Sequence, residues 1–267
     1  PDPLSLLSVV ILTSLGTWGL PQMVQKFYAI DNEDSIKKGT IISTIFALVV
    51  SGGCYFLGGF GRLFSDKIDI AANGYDSIIP TMLENLHPLL IALVVILVLS
   101  ASMSTLSSLV IASSSTLTID LIKDNIVKEM SDKKQVFCIR VLIVIFIAIS
   151  AIIAIIQYKS AVTFIAQLMG ISWGALAGSF LAPFLYSLYW KKTTKAACWT
   201  SFIFGCIIMV LNLVAGSHFP TLLQSPINCG AFAMLAGLII VPVVSLFTKK
   251  PDTALIENTF ACYDKTN

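Results

Sequence analysis

Leu99-Ser100-Ala101-Ser102-Met103-Ser104-Thr105-Leu106-Ser107-Ser108 is a run of hydroxyl residues within a long apolar segment. The segment runs from about 88 to 120, and its first acidic or basic residue is Asp120. A helix of roughly 20 apolar residues crosses the hydrocarbon of a bilayer, so the segment predicts a membrane span. Helical spacing places Ala101, Ser104 and Thr105 on one face of it.

The whole chain has the composition of a protein whose solvent is lipid. Of 267 residues, 56% are hydrophobic and 12% are charged, and the mean hydropathy is +0.87. The apolar runs lack the alternation of a membrane barrel, so the sequence predicts an all-α, polytopic membrane protein. Seven spans are expected, at about 4–27, 38–61, 88–120, 134–157, 161–189, 196–215 and 228–248.

Basic residues indicate the orientation of these spans. If the N-terminus is outside and the C-terminus cytoplasmic, 14 of the 17 Lys and Arg residues face the cytoplasm. Arg62, Lys67 and Lys159 then lie outside. Positive residues in short loops favour the cytoplasmic side, which predicts a multi-pass protein of the cell membrane in this orientation. The net charge of +2 is too small for a nucleic-acid partner.

The long external loop, residues 62–87, contains a short amphipathic segment at 78–86. Such a segment is expected to lie at the membrane surface, either as a lid or as a simple connector.

The hydroxyl cluster of the third span has two interpretations. Small and hydroxyl residues let membrane helices pack closely and hydrogen-bond to each other, which is the structural interpretation. Alternatively, the Ser104 and Thr105 hydroxyls and the Ala101 carbonyl offer uncharged oxygen ligands to a small hard cation. Another helix has to complete the ligand shell in that case.

The first span is expected to be broken in mid-membrane by Gly16-Thr17-Trp18-Gly19-Leu20-Pro21-Gln22. Proline removes a helix hydrogen bond and glycine weakens the helix further. A plain proline kink is one interpretation, and a discontinuous helix lining a solute site is the other. Gln167, near Gly170 in the fifth span, marks another polar and flexible point inside an apolar run, and it is weaker evidence for a solute site.

The sequence contains none of the catalytic motifs expected of a membrane enzyme. H-E-x-x-H and G-x-S-x-G are absent, and no Asp or Glu lies deep in an apolar run. We therefore expect that the protein is not an enzyme.

Two stretches of the third span, residues 100–107 and 114–121, resemble the signature of the sodium:solute symporter family, which includes proline, pantothenate and sugar carriers. Residues 18–27 also look like the family's broken helix, and residues 173–191 like a later helix that leads into a basic turn. The resemblance implies two inverted five-helix repeats, with residues 1–190 as the second repeat. Residues 191–250 then form two peripheral helices, and 251–267 a cytoplasmic tail.

The resemblance also implies roles for individual residues. Ala101, Ser104 and Thr105 match the sodium ligands of the second repeat, and the other ligands come from a helix of the first repeat. By the same resemblance, the substrate-binding positions are Thr17, Trp18, Pro21, Gln22 and Gln167. Thr17 and Pro21 depart from the proline and sugar carriers respectively, so the solute stays unnamed.

The expected function is sodium-coupled symport of a small organic solute, with sodium as the co-transported ion. The chain begins Pro1-Asp2-Pro3 without an initiator methionine, so it is expected to be a fragment that needs the missing N-terminal repeat and the lipid bilayer. A seven-helix receptor shares the predicted topology, and an accessory membrane subunit without transport activity is the other alternative.

Overall fold

The computed structural model describes residues 3–24, 30, 32–67, 75–127, 129–160 and 165–264. Lys26 and Phe27 of the predicted broken-helix pattern lie outside the described residues, as do Lys128 and Lys265 of the charge pattern. Every regular element in the described ranges is helical, and none of those ranges contains a β-strand.

The α-helices are α1 (Pro3–Ser14), α2 (Pro21–Val24), α3 (Glu33–Gly59), α4 (Ile78–Leu83), α5 (Pro88–Thr116), α6 (Asp132–Ser160), α7 (Ile165–Tyr189), α8 (Lys195–Ala215), α9 (Thr221–Gln224), α10 (Pro226–Phe247) and α11 (Thr253–Asp264). Short 3₁₀ segments occur at Gly16–Gly19, Phe60–Lys67, Tyr75–Ser77 and Gly216–His218. A π-helical segment, Leu117–Ile126, continues α5.

Six helices in the described part of the chain are long and apolar enough to cross a membrane: α3, α5, α6, α7, α8 and α10. In the first predicted span the shorter apolar helix Pro3–Ser14 is followed by a 3₁₀ turn and the four-residue helix α2, because the helix is interrupted after Ser14. The prediction of an all-α, multi-pass membrane protein is confirmed. The count of seven spans stays a prediction.

Two compact units make up the chain. Residues 1–30 and 165–267 form one, called here the terminal unit. Residues 31–164 form the other, called here the central unit.

Glycines bring the helices of the terminal unit into close contact. A methyl group added at Gly174 would lie 2.7 Å from the Gly230 Cα, so α7 and α10 meet backbone to backbone there. One added at Gly205 of α8 would lie 2.6 Å from the carbonyl carbon of Gly178 in α7. These approaches maximise van der Waals contact, which drives helix association where lipid is as apolar as the protein.

Side-chain hydrogen bonds connect the same helices. The Tyr186 hydroxyl of α7 donates to the Leu238 carbonyl of α10 at 2.9 Å. Thr194 caps α8 by accepting from the Ala197 amide at 3.3 Å, and its hydroxyl lies 2.6 Å from that of Thr248. The connection between α7 and α8 is therefore fixed to the end of α10.

Two buried asparagines hold the short helix α9. Asn212 of α8 donates to the Leu223 carbonyl at 2.7 Å, and Asn228 of α10 donates to the Leu222 carbonyl at 2.8 Å. The last carbonyls of a helix have no partner within it, and these amides supply one. The connection from α8 to α10 is thus tied to both helices.

The central unit is more open. Helix α5 packs against α6, and the side chains of α3 are exposed along its whole length. The buried residues of α5 and its π-helical continuation are Val110, Ser114 and Thr118, which recur every four residues. The predicted surface segment 78–86 contains the short helix α4.

The tail contains a helix, α11, where the sequence predicted only a cytoplasmic segment. The Tyr263 hydroxyl donates to the Leu188 carbonyl at 3.1 Å, and the Lys191 ammonium lies 5.5 Å from the centre of the Phe260 ring. These two contacts attach α11 to the end of α7 and to the basic turn that follows it.

We expect Gly205→Ala to destabilise the terminal unit, because the added methyl group would overlap the backbone of α7 at Gly178. Overpacking of this kind costs about 1–3 kcal/mol. The melting temperature of the purified chain in detergent measures the effect.

Gly53→Ala in α3 is the matched control, because nothing lies within 4 Å of the methyl group that it adds. Alanine is the better helix former by about 1 kcal/mol, so this variant should melt at the same temperature as the wild type or higher. Equal losses of stability in the two variants would contradict the contact between α7 and α8.

Candidate functional site: a helix break and a hydroxyl face

The first apolar run is interrupted where its glycines and proline fall. Helix α1 ends at Ser14, a 3₁₀ turn covers Gly16–Gly19, and Leu20 is extended with φ −89° and ψ 115°. The short helix α2 then begins at Pro21. Proline fits the first position of a helix because that position needs no amide donor.

Hydrogen bonds close the turn locally. The Thr17 hydroxyl donates to the Ser14 carbonyl at 2.9 Å, at the end of α1. The Trp18 amide donates to the Leu15 carbonyl at 3.1 Å, and the Met23 amide donates to the Leu20 carbonyl at 2.9 Å. The break therefore has a defined backbone conformation.

Helix α7 lies directly against the break. A methyl group added at Gly19 would lie 2.8 Å from the Ala177 Cα and 2.9 Å from the Leu181 Cβ. Gly16 lies close to Trp173 of α7 and to the end of the Met234 side chain of α10. Only a residue without a side chain fits at Gly19, so this glycine sets the distance between the break and α7.

The predicted substrate positions of the first span differ in exposure. The Trp18 side chain is 57% exposed, and Pro21 is exposed as well. Thr17 and Gln22 are half-buried. The break thus combines an exposed aromatic ring with two partly accessible polar side chains, which suits contact with a small amphipathic molecule.

Gln167 lies near the start of α7 and is half-buried. Helical spacing places it on the same face as Gly174, which packs against α10. Trp173 and Ala177, which meet the break, project from a neighbouring part of the helix surface. Gln167 is therefore in the same unit as the break, on a face of α7 directed elsewhere.

The three predicted sodium ligands come together on α5. The Ser104 hydroxyl donates to the Ala101 carbonyl at 2.9 Å, and the Thr105 hydroxyl donates to the same carbonyl at 3.2 Å. Each hydroxyl oxygen keeps its lone pairs free while it donates. Two hydroxyl oxygens therefore lie on less than two turns of helix, beside the carbonyl oxygen that they share.

All three residues are exposed along the described chain. Its described ranges also contain no group of three or more His, Cys, Asp or Glu side chains that could hold a metal ion. The oxygen-only set suits a hard, weakly bound cation and does not suit a transition metal. Three oxygens are too few for such an ion, which takes about six, so other groups have to provide the remainder.

Some contacts at the site were not evident from the sequence. The position of Met234 beside Gly16 depends on how α10 packs, and a lone Met in an apolar run gives no sign of it. Ser114 and Thr118 are fully buried, and neither hydroxyl has a hydrogen-bond partner among the described residues. Their spacing of four was visible in the sequence, but their burial was not.

The geometry defines a multi-pass membrane protein with a discontinuous helix and with exposed hydroxyl groups on another helix, a combination typical of secondary transporters. Comparison with protein families gives a more specific result. The model of the sodium:solute symporter family matches residues 1–205. The chain belongs to this family, whose members are transporters and not enzymes.

Curated relatives are similar over nearly the whole chain. The osmoregulated proline transporter OpuE of Bacillus subtilis (strain 168) is 26% identical over 253 residues, which are 94% of this chain and 50% of that protein. The high-affinity proline transporter PutP of the same organism is 28% identical over 257 residues, or 94% and 52%. A sodium/proline symporter of Staphylococcus aureus is 28% identical over 92% of this chain and 49% of its own length.

The chain spans about half the length of these relatives. No solved structure matches it.

We expect Gly19→Ala to disturb the break, because the methyl group would overlap the backbone of α7 at Ala177. The amides of residues 15–20 should exchange with deuterium faster, and the melting temperature of the chain should fall. Hydrogen exchange followed by mass spectrometry measures the first effect.

Gly16→Ala is the control, because the nearest atom is the flexible end of Met234 at 3.3 Å, which can move away. It should change exchange much less than Gly19→Ala. Similar exchange in the two variants would mean that contact with α7 does not determine the conformation of the break.

Proposed function

We propose that this chain forms the second half of a sodium-coupled symporter for a small organic solute and works by alternating access. Residues 1–190 are its second inverted repeat, 191–250 two peripheral helices and 251–267 a cytoplasmic tail. A first inverted repeat completes the transporter. The relatives are about twice as long as this chain, which leaves room in them for a repeat of that size.

The observation that carries the proposal is the convergence of the Ser104 and Thr105 hydroxyls on the Ala101 carbonyl. These uncharged oxygens lie on an exposed face of a helix long enough to cross the membrane. Such a face can bind sodium when a second element adds the missing ligands. We assign that role to a helix of the first repeat.

The solute binds beside the helix break, in contact with Trp18 and within reach of Thr17, Pro21 and Gln22. Gln167, half-buried on a neighbouring face of α7, is assigned to the solute site on the family resemblance alone. The relatives named as proline transporters make proline the first solute to test. An imino acid is a small amphipathic molecule, and an exposed indole ring offers it an apolar surface.

Sodium supplies the driving force. One sodium ion that moves inward across 100 mV releases about 2.3 kcal/mol, in addition to its concentration gradient. Binding of the ion by both repeats favours the outward-open state, because only that state brings the two ligand sets together. We place the protein in the cell membrane with the N-terminus of this chain outside and its C-terminus in the cytoplasm, as the lysine distribution favours.

The test is uptake of labelled solutes into vesicles that carry the full-length transporter, with and without a sodium gradient. We expect one solute to accumulate only with sodium, starting the panel with proline, pantothenate and sugars. Thr105→Ala should raise the sodium concentration for half-maximal uptake by about 3- to 10-fold, because one ligand is lost.

Ser107→Ala is the matched control, because Ser107 is also exposed on α5 and its hydroxyl donates to the Met103 carbonyl of its own helix. It should leave sodium dependence unchanged. Accumulation without sodium, or an equal effect of both substitutions, would contradict the assignment of the sodium site. No accumulation of any solute by a correctly folded transporter would favour an accessory subunit.

A further inference from the structure

Five exposed lysines lie around one pair of threonine hydroxyls in the terminal unit. The Thr194 hydroxyl is 2.6 Å from that of Thr248, and the Thr194 amide donates to the Ser245 hydroxyl at 3.3 Å. These contacts fix the turn between α7 and α8 beside the end of α10. The lysines, each within three residues of one of the two threonines, are called here the lysine cluster: Lys191, Lys192, Lys195, Lys249 and Lys250.

The positive charge of the lysine cluster is not neutralised by the described part of the chain, where none of its ammonium groups has an ion-pair partner. Lys191 lies over the Phe260 ring of α11, 5.5 Å from its centre, which is a contact with an uncharged group. Asp252 follows the cluster in sequence, but its carboxylate accepts from the Ala254 amide at 3.1 Å and so caps the start of α11. The cluster is therefore free to attract an anion.

Helix α11 has one apolar face, which the protein covers only in part. Helical spacing places Leu255, Ile256, Phe260 and Tyr263 on this face and Glu257 on the opposite one. Ile256 and Phe260 are half-buried. Leu255, in contrast, is 61% exposed, and Tyr263 is exposed as well. An apolar strip along one edge of α11 thus has no cover from the described chain.

The attachment of α11 to α7 indicates the depth at which this strip lies. The Tyr263 hydroxyl donates to the Leu188 carbonyl in the last turn of α7, a helix long enough to cross the membrane. Tyr189, which ends α7, and Phe247, which ends α10, are both exposed. Aromatic residues followed directly by lysines are typical of the level at which a span leaves the hydrocarbon. Helix α11 is therefore attached at the level of the lipid headgroups.

We propose that α11 and the lysine cluster together bind the headgroups of anionic phospholipids. The lysines attract the lipid phosphates, and the exposed Leu255 and Tyr263 side chains contact the beginning of the acyl chains. An amphipathic helix lies in the membrane surface by this combination of apolar burial and attraction between opposite charges. Anionic lipid then holds the tail helix against the turn between α7 and α8. The inference needs only that α7 and α10 span the membrane, so it is independent of sodium and solute.

The experiment follows amide hydrogen exchange of residues 253–264 by mass spectrometry, with the chain in lipid nanodiscs. We expect exchange to be about 5- to 30-fold slower when the nanodiscs contain phosphatidylglycerol than when they contain phosphatidylcholine alone, because the contacts of one or two lysines have about this effect. High salt should remove most of the difference, since it screens exposed charges.

The variant Lys191→Gln with Lys192→Gln should lose most of this slowing. Its matched control is Lys37→Gln with Lys38→Gln, which removes two adjacent exposed lysines from α3 and should keep the slowing in full. Leu255→Gln should speed the exchange of α11 in both kinds of nanodisc, because the side chain loses its contact with lipid. Unchanged exchange of the α8 amides verifies that each variant is folded.

Three results would overturn the proposal. Equal exchange of α11 in the two kinds of nanodisc would mean that anionic lipid does not bind there. An equal loss of slowing in the two double-lysine variants would mean that only the overall charge matters. Equal slowing by inorganic phosphate, added to nanodiscs of phosphatidylcholine alone, would assign the cluster to a free anion. None of these results concerns sodium-dependent uptake, so the proposed function stands or falls separately.

Discussion

The bilayer contains no water to bind the backbone, so every amide and carbonyl at its depth needs a partner within the protein. Continuous helices meet this constraint by themselves. The break at Gly16–Gly19 does not, and it exists only because the Thr17 hydroxyl, local turns and the close approach of α7 at Ala177 compensate for the lost helix bonds. Helix α7 provides the surface that packs against the break, and α8 and α10 pack against α7.

Glycines allow the helices of the terminal unit to approach each other closely. Gly174, Gly178 and Gly205 allow the backbones of α7, α8 and α10 to come into contact, so α7 is held in place on one face while the break packs on a neighbouring part of its surface. Glycines also occur in α3, but a methyl group added at Gly53 would have nothing within 4 Å among the described residues. Glycine content alone thus does not identify a packing surface, because the partner helix determines whether the space is used.

Features set within one segment could be predicted from the sequence, whereas features that depend on a partner helix could not. The apolar runs and the break follow from local physics, since hydropathy, proline and glycine act within one segment. The all-α, multi-pass class follows from the same local physics, whereas the family was accessible only through the resemblance of the Ser100–Ser107 motif to its signature. The contact of Met234 with Gly16, the π-helical segment and the docking of α11 through Tyr263 depend on other segments, so the sequence did not predict them.

In the proposed symporter, the incomplete ligand set on α5 is a requirement for coupling. If Ala101, Ser104 and Thr105 alone supplied every oxygen that sodium needs, the ion would bind equally well whatever the rest of the transporter did, and a ligand with equal affinity for two states shifts neither. Three oxygens on an exposed face make binding depend on a second element. On the proposed mechanism, sodium occupancy reports whether that element is in place, and this dependence would convert an ion gradient into a directed change of conformation.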